Sequence, residues 1–465
     1  MTDRKRFQKI HTAARIVRGR GGGSWLYRRL SKKLFHHEVS RSRDYRYLAK
    51  ILGGKAQLAK ENRQLAMNEI KEGKTILKSN PTALHYIDTV TGCNLRCPKC
   101  YLPPPARLQY TWDGNLYRGL EDSLATVSYF QEGTLGEILM VPRFEELLEA
   151  TSQGMPRLSI ITNATLMNSD KIEAMVGNLN LICISLDSHR ADVYEKLQGT
   201  AKQFEKIVSG AKELVAKRNA SGLGFPYIQF GYTMCSENIK QFGDFCKFAA
   251  EIGVDRVVAI PLLKVGRLET RVVKRKNFIF DYHEQVPAEE GIYLALKRAK
   301  AEFQASPLII WESADQLGVG MAVNDREIDE VDGPVCSIPW VSFFATTHGP
   351  VAHCMWGGGY KVGNWRSQGP KSVWNCAEMR QIREDLLRFG IARPCLMSQY
   401  CPLTRRVRMF AERAGKGFLL EEALADWSKA PLLLPFIKQA VENTARSRAW
   451  VMRNGQRVRL ADIDS

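Results

Sequence analysis

Between residues 81 and 305, short apolar runs alternate with longer amphipathic stretches. The runs are ALHYIDTV (83–90), LSIITNA (158–164), LICISLD (181–187), YIQFGYTM (227–234) and RVVAIPLL (256–263). Each has the length and the β-branched or aromatic content of a strand. Between them, FEELLEATSQG, ADVYEKLQGTAKQFEKIVSGAKELVAKR and NIKQFGDFCKFAAEIG space their apolar residues as helices do. Strand, helix, strand, repeated over about 200 residues, predicts a parallel sheet covered by helices, open or closed into a barrel. Chemistry in such sheets gathers on the loops that follow the strands' carboxyl ends. Near the other end of the chain, LLEEALADWSKAPLLLPFIKQAVENTARS predicts two helices divided at Pro431.

Composition narrows the class. At 465 residues and 45% hydrophobic content, the chain suffices for one large core plus a smaller domain. It has no apolar run of transmembrane length, and its start, MTDRKRFQKI, lacks the apolar core of a signal peptide. A cytoplasmic location is expected, where eleven cysteines stay reduced and clusters of them point to metal or redox chemistry. The charge is uneven: residues 1–80 hold 21 Lys and Arg against 6 Asp and Glu, which is +15 of the chain's +18. Within them, SWLYRRLSKKLFHH predicts a short basic amphipathic helix after a GRGGGS joint. It is suited to peripheral contact with the inner face of a membrane, or to a nucleic acid or acidic substrate; a solvated basic arm is the plainer reading.

The densest chemistry is TGCNLRCPKCY at 91–101. Cys93, Cys97 and Cys100 follow the first predicted strand, and no fourth cysteine or histidine stands nearby to close a zinc site. A four-iron cluster held by three thiolates instead leaves one iron open to a ligand.

This CxxxCxxC loop resembles that of the radical S-adenosylmethionine (SAM) superfamily, and other segments agree in order. GTLGEILMVPRF looks like the family's GGEP segment, ITNAT (161–165) like its TNG segment, and SLD (185–187) like the strand end that faces SAM. The resemblance implies a partial (β/α)6 TIM-like barrel over 81–305, with a 4Fe-4S cluster on Cys93, Cys97 and Cys100 whose free iron chelates SAM. An electron from the cluster then cleaves the sulfonium to a 5′-deoxyadenosyl radical that abstracts hydrogen from the substrate. It also implies that Gly136 and Glu137 receive the methionyl group, that Thr162 and Asn163 shape the site, and that Ser185 and Asp187 face the ribose or carboxylate. The chain departs from the family at Gln198, where relatives carry Arg, and at Lys99, where they carry an apolar or aromatic residue.

A second group spans 336–401. Cys336 is followed after twelve residues by Gly349, then by Cys354, GNW (363–365), WNC ending at Cys376, and CLMSQYC with Cys395 and Cys401. It resembles the SPASM or twitch extension of radical SAM enzymes, here over 330–405. The likeness implies one auxiliary 4Fe-4S cluster on Cys336, Cys354, Cys395 and Cys401. Cys376 reads as a packing residue at a helix start, with ligation the alternative, and His353, beside Cys354, as a surface histidine of the hairpin, with a cluster ligand the alternative. Cys183 and Cys246 read as core, while Cys235, at a strand end, is a candidate hydrogen donor. Helical extensions, 1–80 and 406–465, flank the two domains.

Three functions are compatible with this pattern. The first is hydrogen abstraction from an anionic small-molecule or lipid-linked substrate, leading to oxidation, epimerisation or rearrangement, with electrons from a flavodoxin or ferredoxin. The second is peptide or protein maturation by crosslinking, epimerisation or side-chain oxidation. The third is a non-catalytic iron–sulfur or nucleic-acid-binding protein. Fold alone does not choose a substrate.

Overall fold

The computed structural model describes residues 45–87, 92–100, 116–132, 136–141, 143–153, 157–262, 268–275, 278–312, 336–355, 360–389, 392, 394–395, 401, 450–453 and 456–459. The basic helix expected at 24–37 and most of the C-terminal segment lie outside these residues.

The apolar runs form the strands expected of them, with shorter ones added. β1 (Ala83–Ile87), β2 (Tyr129–Glu132), β3 (Leu158–Thr162), β4 (Leu179–Ser185), β5 (Tyr227–Met234) and β6 (Arg256–Pro261) pair in parallel in chain order. β7 (Val272–Arg275) and β8 (Phe278–Asp281) form a separate antiparallel hairpin, and β9 (Ile309–Glu312) then adds a seventh parallel strand beside β6. On the other flank, β10 (Ser342–Thr346) pairs in parallel with β1, and β11 (Pro350–Ala352) and β12 (Lys361–Asn364) continue it antiparallel. The cysteine-rich second segment is therefore joined to the first strand of the core by backbone hydrogen bonds.

The two faces of this sheet differ chemically. Leu84, Phe130, Ile160, Ile182, Phe230, Val257 and Ile310 pack into one core with helix residues such as Leu147, Ile207, Leu214 and Phe245. Because side chains alternate along a strand, the opposite face carries His85, Gln131, Ser159, Cys183, Gln229 and Arg256, all buried. Arg256 donates twice to Gln229 Oε1, at 3.0 and 2.6 Å, and lies over the Trp311 ring at 3.7 Å. His85 stacks on Phe344 at 4.3 Å, and burial lowers its imidazole to about 3, so it is neutral. A polar inner face behind a helix-covered apolar one is the arrangement of a barrel wall. Among the described strands, the sheet order ends at β12 and β9.

Segment 74–79, which leads into β1, is gripped by the second domain. Trp340 Nε1 donates to Lys74 O at 2.7 Å and Trp374 Nε1 to Ser79 O at 3.1 Å. Asn375 both accepts from Leu77 N at 2.8 Å and donates to Leu77 O at 2.9 Å. Arg383, fully buried, spreads its guanidinium over the carbonyls of Thr75, Pro339 and Trp374. The WN of the WNC motif is thus a clamp on the entry to β1.

One expectation is corrected at the C-terminus. The segment 406–465 was expected to be helical, yet Trp450–Arg453 pairs antiparallel with Gln456–Arg459. The reason is legible afterwards: WVMR and QRVR flank Asn-Gly, the strongest short hairpin signal.

Candidate functional site

Cys93, Cys97 and Cys100 are all half-buried on the loop after β1, at the carboxyl end of the sheet. The Cys100 N–H donates to Cys97 O at 3.0 Å, which turns the last two cysteines together. Cys93 Sγ accepts from Leu95 N at 3.4 Å and from Asn163 Nδ2 at 3.6 Å. N–H donors aimed at a sulfur favour its thiolate form. Burial opposes it and pushes the Cys97 thiol up to about 12, so a metal must displace that proton when it binds. Three thiols on one loop, with amide donors and cations around them, fit the donor chemistry of an iron–sulfur cluster. Among the described residues, no three His, Cys, Asp or Glu side chains are grouped closely enough to hold a single metal ion.

Asn163 links this loop to the rest of the site. Its amide also donates to Asn94 Oδ1 at 2.9 Å, and its Oδ1 accepts from Thr165 N and Oγ1. Its own N–H donates to Glu137 Oε2 at 2.7 Å. Glu137, 1% exposed, uses Oε1 to accept from Thr162 Oγ1 at 2.5 Å and Leu139 N at 3.0 Å. It thereby caps the short helical turn Ile138–Met140. Burial raises the Glu137 carboxyl while these three donors hold it down. A ligand ammonium would have to use the lone pairs left on a carboxylate that is already a structural brace. Glu137 N closes the frame by donating to Gly92 O at 2.9 Å, with half-buried Gly136 just before it.

Asp187, fully buried just past β4, accepts from Thr233 N at 2.7 Å and forms an ion pair with Lys99. The sequence offered Lys99 only as an oddity. Here it ties the cysteine loop to the β4 end, and burial lowers its ammonium to about 8. Removing one partner of such a buried pair typically costs about 3–5 kcal/mol. Gln198 is spent on backbone: Oε1 accepts from Asp187 N and Nε2 donates to Ser185 O, each at 3.1 Å. Cys235, fully buried, sits in a second apolar cluster with Leu197, Leu262, Phe280 and Tyr282. Burial pushes its thiol up to about 11, with Lys99 the leading opposing influence.

Sequence reasoning missed two arginines, Arg271 just before β7 and Arg275 at its end. Arg271 donates to Cys100 O and, at 3.3 Å, to Pro98 O. Arg275 donates to Arg96 O at 2.5 Å and Gln198 O at 3.2 Å. VVKR and FIFD around Lys276–Asn277 were a readable hairpin signal; their target was not.

In the second group, Cys336 lies before the short helix Ile338–Val341 and Cys354 just after β11, both half-buried. Cys395 is half-buried and Cys401 buried; burial pushes the Cys395 thiol up to about 12, with Cys401 the next cause. Gly349 has φ 109°, and a Cβ there would collide with the side-chain amide of Asn364. Trp365 N donates to Gly349 O at 2.8 Å while Asn364 caps the following helix. The glycine and the GNW motif therefore form one lock. His353 corrects the surface reading: it is 1% exposed, its Nε2 is 3.6 Å from Cys354 Sγ, and it packs edge-on against Tyr360. The Cys376 sulfur lies 3.5 Å from Val362 O and from Met379 N, at the start of the helix Ala377–Phe389.

Comparison with known proteins adds independent matches. The model of the SPASM iron–sulfur cluster-binding domain matches residues 336–402. The antilisterial bacteriocin subtilosin biosynthesis protein AlbA of Bacillus subtilis (strain 168) is 27% identical over 182 residues, 37% of this chain and 38% of that protein. The tungsten-containing aldehyde ferredoxin oxidoreductase cofactor-modifying protein of Pyrococcus furiosus is 25% identical over 189 residues, covering 38% of this chain and 51% of its own. The chain thus spans about half or less of the length of these relatives. Among solved structures, histidine-tagged anSMEcpe with bound AdoMet superposes with a TM-score of 0.50 at 15% identity, over 78% of this chain and 99% of its own.

Proposed function

We propose that this chain, a radical SAM protein with a SPASM domain, is an enzyme that cleaves S-adenosylmethionine reductively and modifies a peptide or protein substrate. The observation that carries the first half is the trio Cys93, Cys97 and Cys100, half-exposed at the end of β1 and tied through Asn163 to Glu137. Bound there, a 4Fe-4S cluster and S-adenosylmethionine supply one-electron chemistry able to remove hydrogen from unactivated carbon.

The chain's own residues do the holding. Cys93, Cys97 and Cys100 would bind the cluster, with Gly136, Glu137, Thr162, Asn163, Ser185 and Asp187 forming the wall against the methionyl and ribose ends of S-adenosylmethionine. Cys336, Cys354, Cys395 and Cys401 would hold an auxiliary cluster completely, giving the substrate's second electron a place to go. A flavodoxin or ferredoxin would supply the electron that reduces the first cluster, while the substrate's own first electron would leave with the abstracted hydrogen atom. Cys235, buried beside Phe280 of the hairpin, would be a hydrogen donor only in an epimerisation, where the substrate radical takes back a hydrogen atom instead of losing an electron.

The peptide assignment rests on the likeness to a bacteriocin-biosynthesis protein. The charge of residues 1–80 supports a second reading, in which the substrate is anionic or lipid-linked. Deuterated candidates separate the two. Incubated anaerobically with reduced protein and S-adenosylmethionine, a deuterated precursor peptide should pass label to 5′-deoxyadenosine. Label arriving only from a lipid-linked or anionic small molecule would overturn the peptide assignment.

A further inference from the structure

The β7–β8 hairpin stands outside the ten-stranded sheet, and its two faces are unlike. Val272 and Ile279 point to solvent, 58% and 61% exposed, while Phe280 packs against Cys235 and Leu262. Cross-strand pairing sets Val273 opposite Phe280 and Arg275 opposite Phe278, so Arg275 shares the inward face. Together with Arg271, just before β7, it reaches the carbonyls of Arg96, Pro98 and Cys100. These are alternate residues of the cysteine loop, interleaved with the thiol of Cys97. Among the described residues, the arginines' partners are backbone carbonyls, and no carboxylate pairs with either of them. Lys99 by contrast is paired with Asp187.

Two guanidinium groups with no carboxylate partner among the described residues thus stand against the backbone that presents the three thiols. Carbonyl hydrogen bonds alone could have come from backbone or amide donors, as Asn163 provides elsewhere on the same loop. Charge is what arginine adds. A cluster on three thiolates is anionic and gains a further negative charge on reduction, and a nearby cation stabilises that charge most.

We propose that Arg271 and Arg275 are positioning residues that strap the first cysteine loop and, through their charge, raise the electron affinity of the cluster it holds. This rests on the function proposed above. The test uses full-length protein reconstituted anaerobically with iron and sulfide. The first cluster is identified by the change in its reduced EPR signal when S-adenosylmethionine is added, and that signal is followed in a redox titration. In R271Q/R275Q the ratio of reduced to oxidised cluster at the parental midpoint should fall by about tenfold, at unchanged iron content. R271K/R275K, which keeps the charge, should stay near the parental midpoint. Equal midpoints in all three proteins, or a Lys pair that falls as far as the Gln pair, overturn the proposal. If the double Gln variant cannot hold iron at this loop, R275Q and R275K make the same comparison, since Arg271 keeps its grip on Pro98 and Cys100. A parental protein that binds iron but shows no S-adenosylmethionine-sensitive signal overturns the underlying function instead.

Discussion

Around Cys93, Cys97 and Cys100 the chain is held by side chains arriving from separate elements: Asn163 after β3, Asp187 after β4, and Arg271 and Arg275 at the hairpin. Around Cys336 and Cys354 it is held by a backbone ladder that joins β10 to β1, and by Trp340, Trp374, Asn375 and Arg383 closing on segment 74–79. A loop tethered by side chains can shift by tenths of an ångström to admit a ligand. A domain built on the sheet's own hydrogen bonds cannot do so without straining the core. The contrast suits the proposed roles, a first centre that would bind and release a cosubstrate beside a second that four thiols would close off.

The comparison can be broken most severely at Gly349. Its φ lies where L side chains are strained, and a methyl there meets Asn364. Gly349→Ala should cost roughly 2–4 kcal/mol in denaturant unfolding. It should also remove about four irons per chain and leave the S-adenosylmethionine-sensitive signal of the first group in place. Loss of both clusters together would mean that the two regions are not independently held.

His85, paired across β1 with Phe344 of β10, tests the seam between the regions. Its folded value of about 3 lies below the ordinary 6.5, so the unfolded chain binds the extra proton between them. The neutral ring's stability is fully present above pH 6.5 and is lost as pH falls toward 3, by an amount on the order of a few kcal/mol. His85→Phe keeps the stacking partner and should flatten this loss when unfolding free energy is measured from about pH 7 to about pH 4. An unchanged slope would place the acid sensitivity elsewhere.

Asn163→Ala is the mildest probe. It removes two bonds to the first loop, each worth about 1 kcal/mol, while the backbone bond to Glu137 survives. Iron at the first group should become more labile to chelation by roughly thirtyfold, with the second group unaffected. Equal lability at both groups would erase the distinction between them.

Much of this was legible in the chain, for reasons that differ by element. β3, β4, β5 and β6 announced themselves as apolar runs of strand length. The tetrapeptides of β2 and β9 carry too few residues to do so. The cysteine spacing and the order of Glu137, Asn163 and Asp187 could be read because local sequence carries those motifs. The Lys99–Asp187 pair joins residues 88 positions apart, and the β1–β10 ladder joins segments about 260 apart; no local pattern encodes such partners. His353 was misplaced because a hairpin position suggests exposure, whereas tertiary cover decides it.

The central claim is that the first cysteine group, and not the second, cleaves S-adenosylmethionine. The most direct test is anaerobic incubation of reduced, reconstituted protein with S-adenosylmethionine, counting 5′-deoxyadenosine in the parent and in Cys93→Ala/Cys97→Ala/Cys100→Ala. The account predicts product from the parent, none from the variant, and about four irons still bound in the variant. A parent that holds about eight irons and yields no 5′-deoxyadenosine, or a variant that still yields it, would contradict the account.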